Sequence, residues 1–235
     1  MKRPILLCLL STLLAAQGTE VEITNEPHHH LTFENKSVRV FNVQVDPNTE
    51  TLTHWHRHDY IAITLGAAQI SNHVRDKPPV TVNFHDGDTR FSPATFAHFV
   101  RTTGPEPFRN VTIEILEDAT LRNSTAKWDD DRSLDILQGG SQQILFIKDG
   151  IRVSEFELQP GTVVPKHHYT GPRLLVAVSD VDLGGGVSQL NAREIPSLTL
   201  GHLKSGAAKW LPGSYSHTIS NIGTEPAKFI TLEFP

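Results

Sequence analysis

From residue 38 onward the sequence can be laid on itself, and this duplication limits the possible folds more than any other feature. Val38-Arg39-Val40 aligns with Ile151-Arg152-Val153, Pro47 with Pro160, Asn48 with Gly161 and His54 with His167, all at one offset of 113 residues without a gap. Further along the offset is 119: Gly87 aligns with Gly206, Phe91 with Trp210, Pro93 with Pro212, His98 with His217, Gly104 with Gly223, Pro107 with Pro226 and Glu114 with Glu233. The extra residues of the second copy are placed in Asp182-Leu183-Gly184-Gly185-Gly186, because glycine-rich loops absorb insertions at small entropic cost. The chain must therefore build one architecture twice.

Within each copy the apolar runs are short, alternating and β-branched, as in Val38-Arg39-Val40-Phe41-Asn42-Val43-Gln44-Val45 and Val111-Thr112-Ile113-Glu114-Ile115. Pro, Gly, Asn and Asp separate them, and no long window outside the N-terminus carries a helical apolar stripe. This predicts an all-β protein of two sandwiches or small barrels. The expected organisation is a barrel over residues 19–116, a polar linker over 117–140 and a second barrel over 141–235. The linker holds Asp129-Asp130-Asp131, which lacks the spacing of a calcium loop and reads as a solvated charge run.

The N-terminus is different in kind. Lys2 and Arg3 precede an apolar run from Ile5 to Leu14 and the small-residue stretch Ala15-Ala16-Gln17-Gly18, the layout of a secretory signal peptide over residues 1–18. Its apolar run is too short to span a bilayer. Cleavage after Gly18 removes two of the 21 cationic side chains and none of the 26 acidic ones, leaving a net charge of −7 and a secreted or periplasmic protein with no membrane association. The single cysteine, Cys8, leaves with the signal, so the mature chain has neither a disulfide nor a thiol nucleophile. With no Lys/Arg-rich block there is no footprint for a nucleic-acid partner. Phosphate-cradling Gly-x-Gly-x-x-Gly and Gly-Lys-Ser/Thr motifs are absent too.

The chain has 13 histidines, and they concentrate in Thr53-His54-Trp55-His56-Arg57-His58-Asp59-Tyr60. On a strand, residues two apart share a face, so His54, His56, His58 and Tyr60 are expected to point one way and Trp55, Arg57 and Asp59 the other, unless a bulge re-aims one. Neighbouring imidazoles can chelate one ion. A third ligand from another strand, with His98 as the candidate, would close a facial site with open positions suited to a divalent transition metal.

Two half-motifs stand out in these residues: Asn48 through His54 and His56 to Tyr60 and Gly66, and Gly87 through Pro93 to His98. They resemble the paired motifs of the cupin superfamily, and two copies in tandem look like a bicupin. The resemblance covers nearly all of the mature chain. It implies two double-stranded β-helix (jelly-roll) barrels, with a metal held inside the first by His54, His56 and His98. Where the family usually places Glu this chain has Tyr60, and where it usually places the first Gly it has Asn48. A three-His site is implied, as in the gentisate-type and cysteine dioxygenases of the family, and an oxalate-decarboxylase reading is weakened. The lost carboxylate raises the net charge of the site and favours an anionic ligand. His58 and Tyr60 are assigned to the pocket, behind the ligands or at its mouth.

In the second copy His167 and His217 match His54 and His98, whereas Tyr169 replaces His56 and Arg173 replaces Tyr60. The second barrel is therefore expected to be metal-free, serving as scaffold or binding an anion through Arg173. His168 is out of register and should face away. His28-His29-His30 is read as an exposed lead-in to the first strand, and His73, His85 and His202 as surface or turn residues. Asn35, Asn110 and Asn123 open N-x-Ser/Thr triplets and receive no role.

The sequence thus predicts an exported bicupin with one divalent metal, iron, manganese, nickel, copper or zinc, and a small-molecule ligand. It would act either as a dioxygenase-like oxidoreductase on a small organic acid or phenolic, or as a non-catalytic binding or storage protein. Homo-oligomerisation is left open. His54→Ala, His56→Ala and His98→Ala should each remove most of the bound metal and His167→Ala should not; elemental analysis of the purified variants checks this.

Overall fold

The computed structural model describes residues 20–116, 139–169, 171–185, 187–188, 200–213 and 215–235. The expected signal segment, linker residues 117–138 with their Asp triplet, and Asn123 lie outside them. The first copy forms β1 (Val21–Glu22), a 3-10 turn (Ile23–Asn25), β2 (His29–Glu34), β3 (Val38–Val45), β4 (His54–His56), β5 (Tyr60–Thr64), β6 (Ala68–Val74), β7 (Val80–Phe84), β8 (Thr89–Ser92), β9 (Phe96–Thr102) and β10 (Phe108–Ile115). The second forms β11 (Gly140–Lys148), β12 (Ile151–Leu158), β13 (Val163–Tyr169), β14 (Arg173–Ala177), β15 (Val181–Gly184), β16 (Val187–Ser188), β17 (Gly201–Leu203), β18 (Ala208–Leu211), β19 (Tyr215–Asn221) and β20 (Ala227–Glu233).

Each copy pairs its strands into two five-stranded sheets. In the first their orders are β1-β4-β9-β6-β7 and β2-β3-β10-β5-β8; in the second, β13-β19-β15-β17, with β16 joined to β19, and β11-β12-β20-β14-β18. The parallel pairing of β1 with β4 sets the N-terminal segment directly beside His54 and Trp55.

The repeat survives in the backbone. β12 begins 113 residues after β3 and β14 the same distance after β5, while β18 and β19 begin 119 residues after β8 and β9. Because Asp182, Leu183 and Gly184 form β15, the additional residues fall later than expected, between Gly184 and Gly201. The substitution of Asn48 for glycine has a conformational explanation: Asn48 has φ +62° and its counterpart Gly161 φ +78°, and Asn is among the few side chains that adopt this left-handed turn readily.

Alternation along the strands separates two environments. On β10, Val111, Ile113 and Ile115 belong to an apolar cluster that also contains Val38, Val40, Ile61 and Ile63 of the first copy and Val153, Leu174, Ile230 and Leu232 of the second. The largest apolar cluster therefore lies between the barrels. Phe33 stacks on Trp210 across the same seam, with ring centroids 6.2 Å apart. The opposite faces of these strands turn inward, and an ion pair recurs there in both barrels: Arg39 with Glu114, at 3.0 Å, and Arg152 with Glu233. One ties β3 to β10 and the other β12 to β20, the last strand of each copy.

A shared core couples the two copies energetically. Leu232→Ala, at a fully buried position of the seam, is expected to cost roughly 2–5 kcal/mol, and both copies should unfold in one transition. Calorimetry of the whole chain checks this; two resolved transitions, with only one moved by the substitution, would overturn it.

Candidate metal centre

β4 and β9 are antiparallel neighbours in register, so His54 lies directly across from His98 and His56 from Phe96. With His54 and His56 two apart on one strand, pleating projects all three imidazoles into the barrel. All three residues are buried, and one ligating nitrogen from each lies within 4.8 Å of the others.

Hydrogen bonds orient the rings. Nδ1–H of His54 donates to the Leu52 carbonyl at 2.8 Å, and Nδ1–H of His98 to Asn72 Oδ1 at 2.9 Å. Both rings therefore present Nε2 as a lone pair, and His54 Nε2 has no hydrogen-bond partner among the described residues. The Nε2 atoms of His56 and His98 are 3.0 Å apart. Two nitrogens bound at right angles, each about 2.1 Å from one ion, sit about 3 Å apart, so the donor set fits a divalent transition metal. Burial pushes the His54 imidazole down to about 4 and the His56 and His98 rings well below the usual range, with neighbouring imidazoles reinforcing the shift. At neutral pH all three are uncharged, the form that ligates.

The triad closes one end of a cavity of about 220 Å³. Its other walls are largely apolar, with Ile70, Val82, Phe84, Val100 and Phe108. Several of its polar groups are already engaged: Thr112 donates to Asn110 Oδ1 at 2.7 Å, and Tyr60 is hydrogen-bonded to Ser92. Arg90 also lines the space; its side chain is half exposed and 3.5 Å from Asp88.

The expected common face of His54, His56, His58 and Tyr60 holds in part. β4 ends at His56, and residues 57–59 carry the chain from one sheet to the other before Tyr60 opens β5. Tyr60 lines the cavity and stacks on His56, with centroids 4.1 Å apart. His58 is not among the cavity-lining residues; it lies near Glu114, whose carboxyl is raised by burial and partly drawn back by His58. Parity is a property of a continuous strand, and the crossover interrupts it. Asp59 faces away as expected, accepting the Ala94 N–H at 2.7 Å. Trp55 and Arg57 lie outside the cavity, the Arg57 guanidinium 4.2 Å above the Trp55 ring.

The structure corrects, at His29, the reading of His28-His29-His30 as exposed, while His30 is exposed as expected. The His29 side chain is only 5% exposed and lines the cavity, its ring centroid 4.6 Å from that of His54. Glu26, wholly buried, places it there, accepting from His29 Nδ1 at 2.6 Å, His28 Nδ1 at 3.0 Å, and the His28 and Leu52 N–H groups at 2.9 and 3.1 Å. Burial opposes ionisation of Glu26, but these hydrogen bonds outweigh it and hold its pKa at about 2. The one signal in the sequence was an acid three residues before a strand-opening His.

The second barrel keeps the backbone site without the chemistry. His167 pairs with His217 as His54 pairs with His98; the side chains of His167 and Tyr169 lie outside the described residues. A guanidinium nitrogen of Arg173 is 2.6–2.8 Å from the His217 ring nitrogens, so a fixed cation stands against this histidine. His168 is exposed, as expected from its register. Positions that leave space in the first barrel are filled here: Val43 corresponds to Phe156, Ala62 to Leu175, Ser92 to Leu211 and Asn110 to Phe229, all four replacements being core residues. Asn110 itself is buried, so its N-x-Thr triplet is inaccessible in the folded protein.

No protein-family model and no curated protein sequence matches the chain. Solved structures do. A variant of oxalate decarboxylase from Bacillus subtilis aligns with a TM-score of 0.62 at 12% identity, over 90% of this chain and 76% of that one. The formate complex of Lactobacillus farciminis oxalate decarboxylase aligns with a TM-score of 0.59 at 14% identity, over 90% and 84%. A further Bacillus subtilis oxalate decarboxylase structure, from work on the Mn(II) centres of that enzyme, aligns with a TM-score of 0.62 at 12% identity, over 90% and 76%. The likeness is one of fold: two cupin jelly-roll barrels in tandem.

The depressed His54 pKa has a measurable consequence for metal-stripped protein. An unfolded histidine takes its proton near 6.5 whereas folded His54 refuses it until about 4. Between those values the unfolded state binds more protons, so stability falls as pH drops through the window. Thermal melts of chelator-treated protein should show a falling Tm from pH 6.5 to 4.5; a flat profile would contradict the assignment.

Proposed function

We propose that the chain is an exported bicupin that holds one divalent transition metal in its N-terminal barrel through His54, His56 and His98, and acts as a dioxygenase-like oxidoreductase on a small organic acid or phenolic. The observation that carries this is the orphaned Nε2 of His54, buried beside two further imidazole nitrogens at the end of a cavity. A desolvated lone pair without a donor is satisfied by a cation, which would also replace the His56–His98 contact.

A bound metal would supply Lewis acidity or an oxygen-activating centre. The remaining work falls to the chain. The Leu52 carbonyl and Asn72 hold the ring orientations, the stacked Tyr60 ring keeps His56 in place, and the apolar walls exclude water. These walls favour a ligand with one polar end at the histidines and an apolar body. Oxalate, polar at both ends, would set a carboxylate against Ile70, Val82 or Phe84. Arg90, half exposed, offers an attractive field to an incoming anion. Export rests on the layout of residues 1–18.

A second reading, a non-catalytic binding protein, draws on the second barrel, where the duplicated site is filled by side chains and serves as scaffold. Elemental analysis of mature protein purified without a His tag separates the outcomes. About one metal per chain, with oxygen uptake on a phenolic or small acid, is the expected result. One metal without turnover favours the binding protein, and no metal after incubation with divalent ions overturns both.

A further inference from the structure

Among the described residues that line the cavity, Arg90 is the single lysine or arginine, and no Asp or Glu lines it. Its guanidinium is charged at any working pH and carries five N–H donors. Two carboxylates stand behind the walls. Glu26 is taken up by the His28 and His29 rings and by two backbone N–H groups. Asp88 accepts the His85 N–H at 3.0 Å and lies 3.5 Å from Arg90 Nη2, too far for a short charge-assisted hydrogen bond.

The duplication shows what the same position does without a cavity. Arg90 corresponds to Lys209 at the 119-residue offset, with Arg90 across from Ala62 and Lys209 across from Leu175. In the second barrel Leu175 belongs to the apolar core and the Lys209 ammonium donates to the Leu200 carbonyl at 3.3 Å. In the first the facing residue is only alanine, and the Arg90 guanidinium sits 4.5 Å over the ring of Phe84, itself a wall of the cavity.

Strand register sets this cation well away from the triad. Ser92 lies across from Tyr60, which stacks on His56, and Arg90 is one pleat repeat further, about 7 Å along the strand. Phe84, under the guanidinium, lies across from Ala68, and Ala68 is about 13 Å along β6 from Asn72, which holds His98. The guanidinium is therefore on the order of 10 Å from the histidine nitrogens, and Ile70 and Val82, an opposed pair on β6 and β7, line the interval.

Resting on the metal reading above, we propose that Arg90 pairs with a carboxylate at the far end of the ligand, which is a phenolic acid: its hydroxyl end lies at the metal, its ring between the apolar walls and its carboxylate at the guanidinium. Arg90 is then a specificity-determining residue. It selects phenolic acids over simple phenols, and the length of the interval rejects diacids too short to reach both ends.

The test uses full-length mature protein loaded with cobalt(II) and follows binding by absorbance. The probes are 3,4-dihydroxybenzoate and catechol, which share the metal-binding hydroxyls and differ in the carboxylate. The Arg90 side chain is half exposed, so Arg90→Gln and Arg90→Lys leave the core intact. The expected result is cobalt near one per chain in both variants, catechol affinity unchanged, and 3,4-dihydroxybenzoate bound about tenfold more weakly by Arg90→Gln, the loss of one charge-assisted hydrogen bond at a half-exposed site. Arg90→Lys, which keeps the charge, should recover part of that loss. Unchanged 3,4-dihydroxybenzoate affinity in cobalt-loaded Arg90→Gln overturns the proposal. Equal weakening of both probes overturns it too, since the carboxylate would then not be what Arg90 reads, and so does a cobalt spectrum of the unmodified protein that neither probe alters. Failure of the unmodified protein to take up cobalt strikes the metal reading itself, an outcome distinct from these.

Discussion

Three imidazoles buried at one end of an apolar cavity, with no carboxylate among them, set the condition that the rest of the N-terminal barrel must meet. Protonating any of them places a charge in a desolvated space beside other imidazoles, so all three stay neutral and their lone pairs converge. The Nε2 atoms of His56 and His98 meet in a 3.0 Å hydrogen bond, whereas His54 Nε2 is left without a partner among the described residues. The Leu52 carbonyl and Asn72 amide remove the alternative in which the rings turn over and donate, since they already take the Nδ1–H of His54 and His98. A cation placed there would meet ring nitrogens that are already uncharged and held in orientation.

The two barrels show how one scaffold takes opposite courses through a few side-chain volumes. Val43, Ala62, Ser92 and Asn110 are small or polar, and together they leave room beside the histidines. Phe156, Leu175, Leu211 and Phe229 occupy the matching places and join an apolar core cluster among the described residues of the second barrel. Where a cation would be bound in one copy, Arg173 brings a covalently attached one against His217 in the other. The outward faces did not diverge in the same way. They remain aliphatic in both copies because they pack on each other, and that seam couples the solid barrel to the hollow one.

Much of this could be read from the chain before folding. The duplication, the all-β class and the common face of His54 and His56 follow from spacing, because strand parity and repeat offsets are local or self-referential; the grouping with His98 was implied by the resemblance to the cupin motifs. His58 went astray because parity was carried across a point where the chain changes sheets. His29 went unnoticed because its contacts with Glu26 and His54, and the Leu52 N–H bond that helps to hold Glu26, depend on the parallel β1–β4 pairing and the β2–β3 register, which no spacing within the His run encodes.

Taken alone, the order of residues was enough for an all-β chain built as two sandwiches or small barrels, because alternation with period two and a duplicated segment leave few other ways to bury these side chains; the jelly-roll and the grouping of His54 and His56 with His98 were implied by the resemblance to the cupin motifs. Folding in three dimensions decided that the first barrel holds a cavity, that the largest core cluster among the described residues lies between the copies, and that a fourth histidine, held by Glu26, lines that cavity. These depend on which faces of separate strands meet and how much volume they leave, quantities that exist only once the sheets have closed.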